Sequence, residues 1–174
     1  MAEMRAAIAP PARTVEGRAE ATGLPTASAD GVTVAQAFHW FDGPRALAEI
    51  HRVLRPGGVL ALLWNRRRME DEINARLEDL LGPHRGRVPA HAGDGWRAEL
   101  AASPHFGPVR EEAFTNEQRL DADGLADRFG SVSFVASMED GEREALLGEL
   151  RALAGSGTVT LRYVVELQLA TRLG

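Results

Sequence analysis

The stretch from Gly31 to Asn65, GVTVAQAFHWFDGPRALAEIHRVLRPGGVLALLWN, leaves few folds open. Val32–Ala37 is short, apolar and rich in small residues, as a strand is. The following FHWF, Phe38 to Phe41, is too bulky, and too polar at its middle, to continue a buried strand. Asp42 is a good helix N-cap, and Pro44 falls in the first turn, where its missing N–H costs little. Leu47, Ile50 and Leu54 recur at helical spacing and give one apolar face. Arg52 and Arg55 place positive charge in the last turn, where it suits the helix dipole. Pro56 cannot continue the helix, and Gly57-Gly58 turns the chain. Val59–Trp64 is then a continuous apolar run, which predicts a strand buried on both faces. Strand, helix and strand in so short a span form the right-handed crossover of a parallel sheet.

Downstream, Glu70-Asp71-Glu72 opens a helix with acid at its N-terminus, Ile73, Leu77 and Leu80 or Leu81 supply its apolar face, and Gly82-Pro83 stops it. Residues 84–95 read as loop and Trp96–Ala101 as a short helix. Val109–Leu120 is strand-like but polar, as an edge strand is. Asp121 caps a short helix to Phe129. Glu139–Ala154 forms a stronger one, with Leu146, Leu147, Leu150 and Leu153 inward and Gly155 just past its end. Val159, Leu161, Tyr163, Val165, Leu167 and Leu169 alternate with more polar partners, so the last strand has a strict period of two. Upstream, Ala2–Ala9 is helical until Pro10-Pro11, Arg13–Gly17 suits a short strand, and Ala19–Gly31 reads as a loop.

Two motifs, AFHWFD at Ala37–Asp42 and E-I-x-R-V-L-R-P-G-G at Glu49–Gly58, resemble class I S-adenosylmethionine (SAM)-dependent methyltransferases, in the small-molecule branch typified by methyltransferase type 11. The resemblance implies an α/β fold, a Rossmann-like methyltransferase sheet. Ala2–Ala9 would be the helix after its second strand and Arg13–Gly17 its third strand. The fourth and fifth strands flank the crossover helix, Val109–Leu120 is the sixth, and Thr158–Arg172 is the antiparallel seventh. The sheet is incomplete, because its first two strands would precede Met1. The glycine-rich cofactor turn, of the form G-x-G-x-G, and the acid that holds the ribose hydroxyls are missing with them. The chain therefore reads as one partial domain, residues 1–174, truncated before the cofactor loop. Residues 1–30 are loosely anchored, 31–65 form the core unit, and 66–174 form the C-terminal half with helices covering the substrate. With the first strand absent, the fourth has an unpaired edge that invites self-association.

The resemblance also assigns roles. SAM would be the methyl donor and a small molecule the acceptor. Met4 resembles the residue that packs on adenine, and Ala19 and Glu20 resemble the turn at the adenine edge, although Arg18 stands where many relatives carry an acid. Gln36, Ala37 and Phe38 match the segment that runs along the cofactor. His39 lines the pocket or acts as the base; the other reading is a histidine packed between Trp40 and the helix. Trp40, Phe41, Trp64 and Asn65 are candidate substrate contacts, the last two at a strand's carboxyl end, where open sheets bind ligands. An aromatic wall of Phe38, Trp40 and Phe41 also favours a sulfonium cation; plain core packing is the other reading of these three rings. Arg66–Arg68 either attract an acidic substrate or face solvent. The alternative to the enzyme is a non-catalytic remnant or interaction module of the same fold that no longer binds the cofactor.

Bulk properties narrow the classes. A net charge of −5 argues against a nucleic-acid-binding surface. There is no cysteine, so thiol and disulfide chemistry are excluded. No apolar run reaches membrane-span length and the first ten residues lack a signal-peptide core, so no membrane is expected and the cytoplasm is the expected compartment. His84, His91 and His105 lack metal-site spacing. All 20 basic residues are Arg.

Overall fold

The structure is a computed structural model that describes residues 11–85 and 95–174. The helix expected at Ala2–Ala9, Met4 and His91 lie outside the described residues. Four strands form one sheet: β1 (Ala29–Ala35), β2 (Leu54–Arg67), β3 (Arg110–Leu120) and β4 (Val159–Thr171), in the order β1-β2-β4-β3. In the resembled family's numbering this is fourth, fifth, seventh, sixth. The helices are α1 (Gly43–Val53), α2 (Glu72–Leu81), α3 (Gly95–Ala101), α4 (Ala122–Gly130), α5 (Ser133–Ala136) and α6 (Asp140–Ala154). Among the described residues no helix is long and apolar enough to cross a membrane.

The chain divides into two compact units, Met1–Leu62 with Gly93–Glu111 and Gln168–Gly174, and Leu63–Ala92 with Glu112–Leu167. In the first unit the expected crossover is present. Asp42 caps α1 by accepting the N–H of Arg45, and Pro44 occupies its first turn. Ala46, Leu47, Ile50 and Val53 turn inward, each large side chain worth roughly 1.5–3 kcal/mol when removed from water. No separate turn follows α1: β2 begins directly at Leu54, and Gly57 and Gly58, expected as a turn, lie within it. Gly57 has φ +76°, in the left-handed region. A Cβ on Gly58 would lie 2.9 Å from the Arg55 carbonyl oxygen and 3.1 Å from that of Asp30. In β2, Leu60, Leu62 and Trp64 are buried while Ala61 and Leu63 are half-covered and Val59 is exposed. Only one face is thus fully buried, not both.

In the second unit Leu77 and Leu81 of α2, Leu125 and Phe129 of α4, Leu146 and Leu150 of α6, and Leu161 and Tyr163 of β4 form one apolar cluster. Asp121 caps α4 through the Gly124 N–H, as its sequence position predicts. Asn74, fully buried, donates to the carbonyls of Arg68 and Arg162 and so fastens α2 to the chain beside it.

Two expectations need correction. Arg13–Gly17 is not a strand. The first pairing there is the isolated bridge of Arg18 with Ala21, and Val15 is exposed; an extended segment without a neighbouring strand has no ladder to join. The strict period of two in β4 also fails as a burial pattern. Leu161 and Tyr163 are buried, but further on Gln168 and Ala170 are, at the opposite parity. Period-two reading assumes the same face is covered along the whole strand. Here the residues buried at the two ends belong to different units.

Candidate functional site

The carboxyl end of β1 leads into a residue in the left-handed region. Gln36 has φ +56°, a left-handed conformation unusual for a residue with a Cβ. Such strain persists where surrounding structure enforces it, and it concentrates at ligand sites. Ala37 then starts a 3-10 turn over Phe38–Trp40, closed by hydrogen bonds from the Trp40 N–H to the Ala37 carbonyl (2.9 Å) and from the Phe41 N–H to the Phe38 carbonyl (3.0 Å). This turn splits the aromatic motif. Phe38 is 1% exposed and meets Phe41 edge-on, with ring centroids 5.7 Å apart. Its side chain belongs to the core, so only its backbone is left to face a ligand. Trp40 points the other way, 58% exposed, and the half-buried His39 ring lies 4.9 Å from the Trp40 ring, tilted 45°.

Ala19 and Glu20 form the tip of a tight turn whose ends, Arg18 and Ala21, exchange backbone hydrogen bonds of 3.2 and 3.0 Å. Glu20 reaches from there to the start of α1, where its carboxylate accepts the Asp42 N–H at 3.0 Å. That bond, and then its own backbone N–H and the nearby Arg18 and Arg45, hold the Glu20 carboxyl below its usual range. Arg18, Glu20, Ala21, Asp42 and Arg45 line a cavity of about 240 Å³. Negative charge at a helix N-terminus is stabilising in itself, so part of Glu20's role is structural.

The segment carrying this turn is fastened to α1 by contacts that sequence reasoning missed. Glu49 accepts the Thr22 N–H (2.8 Å), the Thr22 hydroxyl (2.6 Å) and two bonds from Arg52 (2.7 and 2.8 Å). Arg52 continues to the Thr26 hydroxyl and the Leu24 carbonyl. Residues 22–26, read from sequence as loosely attached, are held by this clamp. The Arg52 guanidinium, with Thr22, lowers the Glu49 pKa to about 2. The helical spacing of Glu49 and Arg52 was visible; that both would turn back to a loop more than 20 residues upstream was not. Gly43 is a further missed element. Its lack of a side chain lets the Glu99 carboxylate of α3 lie against the start of α1, at the place a Cβ would occupy and near Phe38.

Trp64 and Asn65 belong to the other unit. Trp64 is 6% exposed, so its ring is packed, and Asn65 is half-buried near the carboxyl end of β2. The arginine run is not a free patch. Arg66 pairs with Glu166, Arg67 with Glu78 and Arg68 with Glu70.

The described residues fit part of a nucleoside cofactor's surroundings. The left-handed Gln36 and small Ala37 leave backbone accessible at a strand's carboxyl end, and the Arg18–Ala21 turn offers a polar cavity beside α1. Among the described residues no glycine-rich turn links an apolar strand to a helix in the way that cradles a cofactor's amino-acid end.

Comparison with known proteins follows the same lines. The family described as "Methyltransferase domain" matches residues 1–62. The chain is 36% identical over 138 residues to an uncharacterized methyltransferase-like protein of Schizosaccharomyces pombe, covering 79% of this chain and 54% of that relative. It is 34% identical over 175 residues to an uncharacterized methyltransferase of Mycobacterium bovis, covering 97% of this chain and 68% of the relative. The chain thus spans about half the length of the yeast relative and two thirds of the mycobacterial one. A solved structure from Anaeromyxobacter dehalogenans, provisionally described as a type II methyltransferase, superposes with a TM-score of 0.63 at 32% identity, over 98% of this chain and 75% of that one.

Proposed function

Because the chain belongs to the class I SAM-dependent methyltransferase family, we propose that it serves the transfer of a methyl group from SAM to a small-molecule acceptor. The observation that carries this is the β1 carboxyl end, where a strained Gln36, the Phe38–Trp40 turn and the capped α1 meet at the place where open α/β sheets take ligands.

SAM, when bound, supplies an electrophilic sulfonium methyl with a good leaving group. What remains for the protein is to bind, align and manage a proton. Gln36 and Ala37 present backbone to the cofactor, while the Ala19–Glu20 turn meets its nucleoside end. Phe38 fixes the turn from the core side. The exposed Trp40 face suits a cationic sulfur. His39 is the titratable side chain carried by the turn. It takes a proton from an amine or phenol acceptor; a carboxylate acceptor needs no such step.

The competing reading is a fold that has kept its sheet and lost cofactor binding. Calorimetry with S-adenosylhomocysteine separates the two. Micromolar binding, weakened by Gln36→Pro and Glu20→Ala, is expected for the methyltransferase. No binding under conditions where circular dichroism shows a folded chain refutes cofactor binding by these 174 residues. With an acceptor in hand, His39→Asn is expected to lower kcat by about 10²-fold or more if it is the base, and to leave it unchanged for a carboxylate acceptor.

A further inference from the structure

The charges around Glu78 do not balance. Its carboxylate accepts Arg67 Nη2 at 2.6 Å and both terminal nitrogens of Arg85, each at 2.6 Å. One carboxylate therefore serves two guanidinium groups. Arg67 and Arg128 also lie over the Phe129 ring, 5.7 and 5.5 Å from its centroid. Arg128 pairs with no carboxylate among the described residues. Phe129 is 4% exposed and anchored in the core, so the platform is rigid.

Arg67 differs from its neighbours in the arginine run. Arg66 and Arg68 are 40% and 36% exposed, and Arg66 pairs with Glu166 and Arg68 with Glu70. The Arg67 side chain is 16% exposed, and its second terminal nitrogen, Nη1, is shielded from solvent and meets no acceptor. Buried donors are almost always satisfied, and an exception calls for an explanation. Arg67 is also the last residue of β2, at a strand's carboxyl end. Its planar fork matches a carboxylate or phosphate, and Glu78 holds that fork by one tine only.

We infer that Arg67, with Arg85 and Arg128 beside it, receives an anionic group, a carboxylate or a phosphate, of the methyl acceptor. The word acceptor rests on the methyltransferase reading above; the anion site itself does not. Glu78 fixes the guanidinium through Nη2 and leaves Nη1 for the ligand. Arg85, 40% exposed, is the surface member of the pair on Glu78. Glu78 keeps its bond to Arg67 throughout, so the carboxylate is never left unpaired.

The test uses the full chain at low ionic strength, with succinate and inorganic phosphate as calorimetric probes. One of them is expected to bind the wild type. Arg67→Met is expected to weaken that binding at least tenfold, Arg67→Lys less, because lysine keeps the charge but not the fork, and Arg128→Gln by a few-fold. Arg66→Gln is expected to change nothing. Succinate above phosphate assigns a carboxylate acceptor; the reverse order assigns a phosphorylated one. Should Arg67→Met fail to fold, the Arg67→Lys and Arg128→Gln titrations carry the test. The inference is overturned if neither probe binds the wild type, or if Arg66→Gln weakens binding as much as the Arg67 variants do, which would mean diffuse attraction. S-adenosylhomocysteine binding on the same samples keeps the two readings apart. Anion binding through Arg67 without it leaves the anion site standing and the methyltransferase reading refuted. The converse refutes the anion site alone.

Discussion

Glu49 and Glu78 are two helix carboxylates tied to arginine, and they do different work. Glu49 meets one guanidinium, Arg52, and fills its remaining capacity with Thr22. It is 10% exposed, its charge is matched, and it clamps residues 22–26 to α1. Glu78, 33% exposed, meets two guanidinium groups and leaves one donor of Arg67 without an acceptor. Arginine holds both carboxyls below the usual range, Arg52 first for Glu49 and Arg85 first for Glu78, so the shift does not tell the two apart. The charge count does. A balanced network stores stability, whereas an unbalanced one retains capacity for a ligand.

Breaking the balanced network is expected to have the larger effect on folding. Glu49→Ala removes several charge-assisted bonds at a nearly buried site and is expected to cost about 2–3 kcal/mol in urea unfolding. Glu78→Gln is expected to cost about 1–2 kcal/mol, and added phosphate is expected to restore part of it by taking the place of the lost charge. Phosphate is not expected to rescue Glu49→Gln. An equal response of both variants to phosphate would dissolve the contrast.

The pH dependence sharpens it. The Glu49 carboxyl lies at about 2 in the folded chain against an ordinary 4.5. A group lowered on folding stabilises fully above its unfolded value, and that contribution fades as pH falls toward the folded one. The wild type is therefore expected to lose stability between pH 4.5 and about 2, and Glu49→Gln to show a flatter acid slope in thermal melts. Thr22→Val, which removes the hydroxyl's bond to Glu49 and its acceptance of the Leu24 N–H and keeps the Thr22 N–H bond, is expected to cost about 1 kcal/mol. The smallest effect is expected for Gly43→Ala, below about 1 kcal/mol, because the obstructing atom is the mobile end of Glu99; a larger loss would mean that Glu99 is fixed in place.

Much of the fold was legible because local rules and packing agree in it. Asp42 and Asp121 cap the helices they were expected to cap. The polar Arg110–Leu120 strand lies at a sheet edge. The places where reading failed share a cause. Arg13–Gly17 looks extended but finds no strand to pair with, and β4 alternates in sequence while its burial changes parity. Both outcomes depend on what lies alongside, which no local window contains. In the candidate site the aromatic motif was legible as a unit. Its division into a core Phe38 and an exposed Trp40 was not, because the 3-10 turn and the positive φ of Gln36 set the direction of each side chain.

The sequence by itself determined the strand-helix-strand unit and the cap of its helix, and through two short motifs the family. These rest on backbone preferences and apolar spacing that act over a few residues. Only the tertiary structure decided that Glu49 and Arg52 face back onto residues 22–26, and that Arg66, Arg67 and Arg68, alike in sequence, differ in burial and in partners. Hydrogen bonds and ion pairs are short-ranged and directional, so which charges meet is settled only when distant segments are brought together.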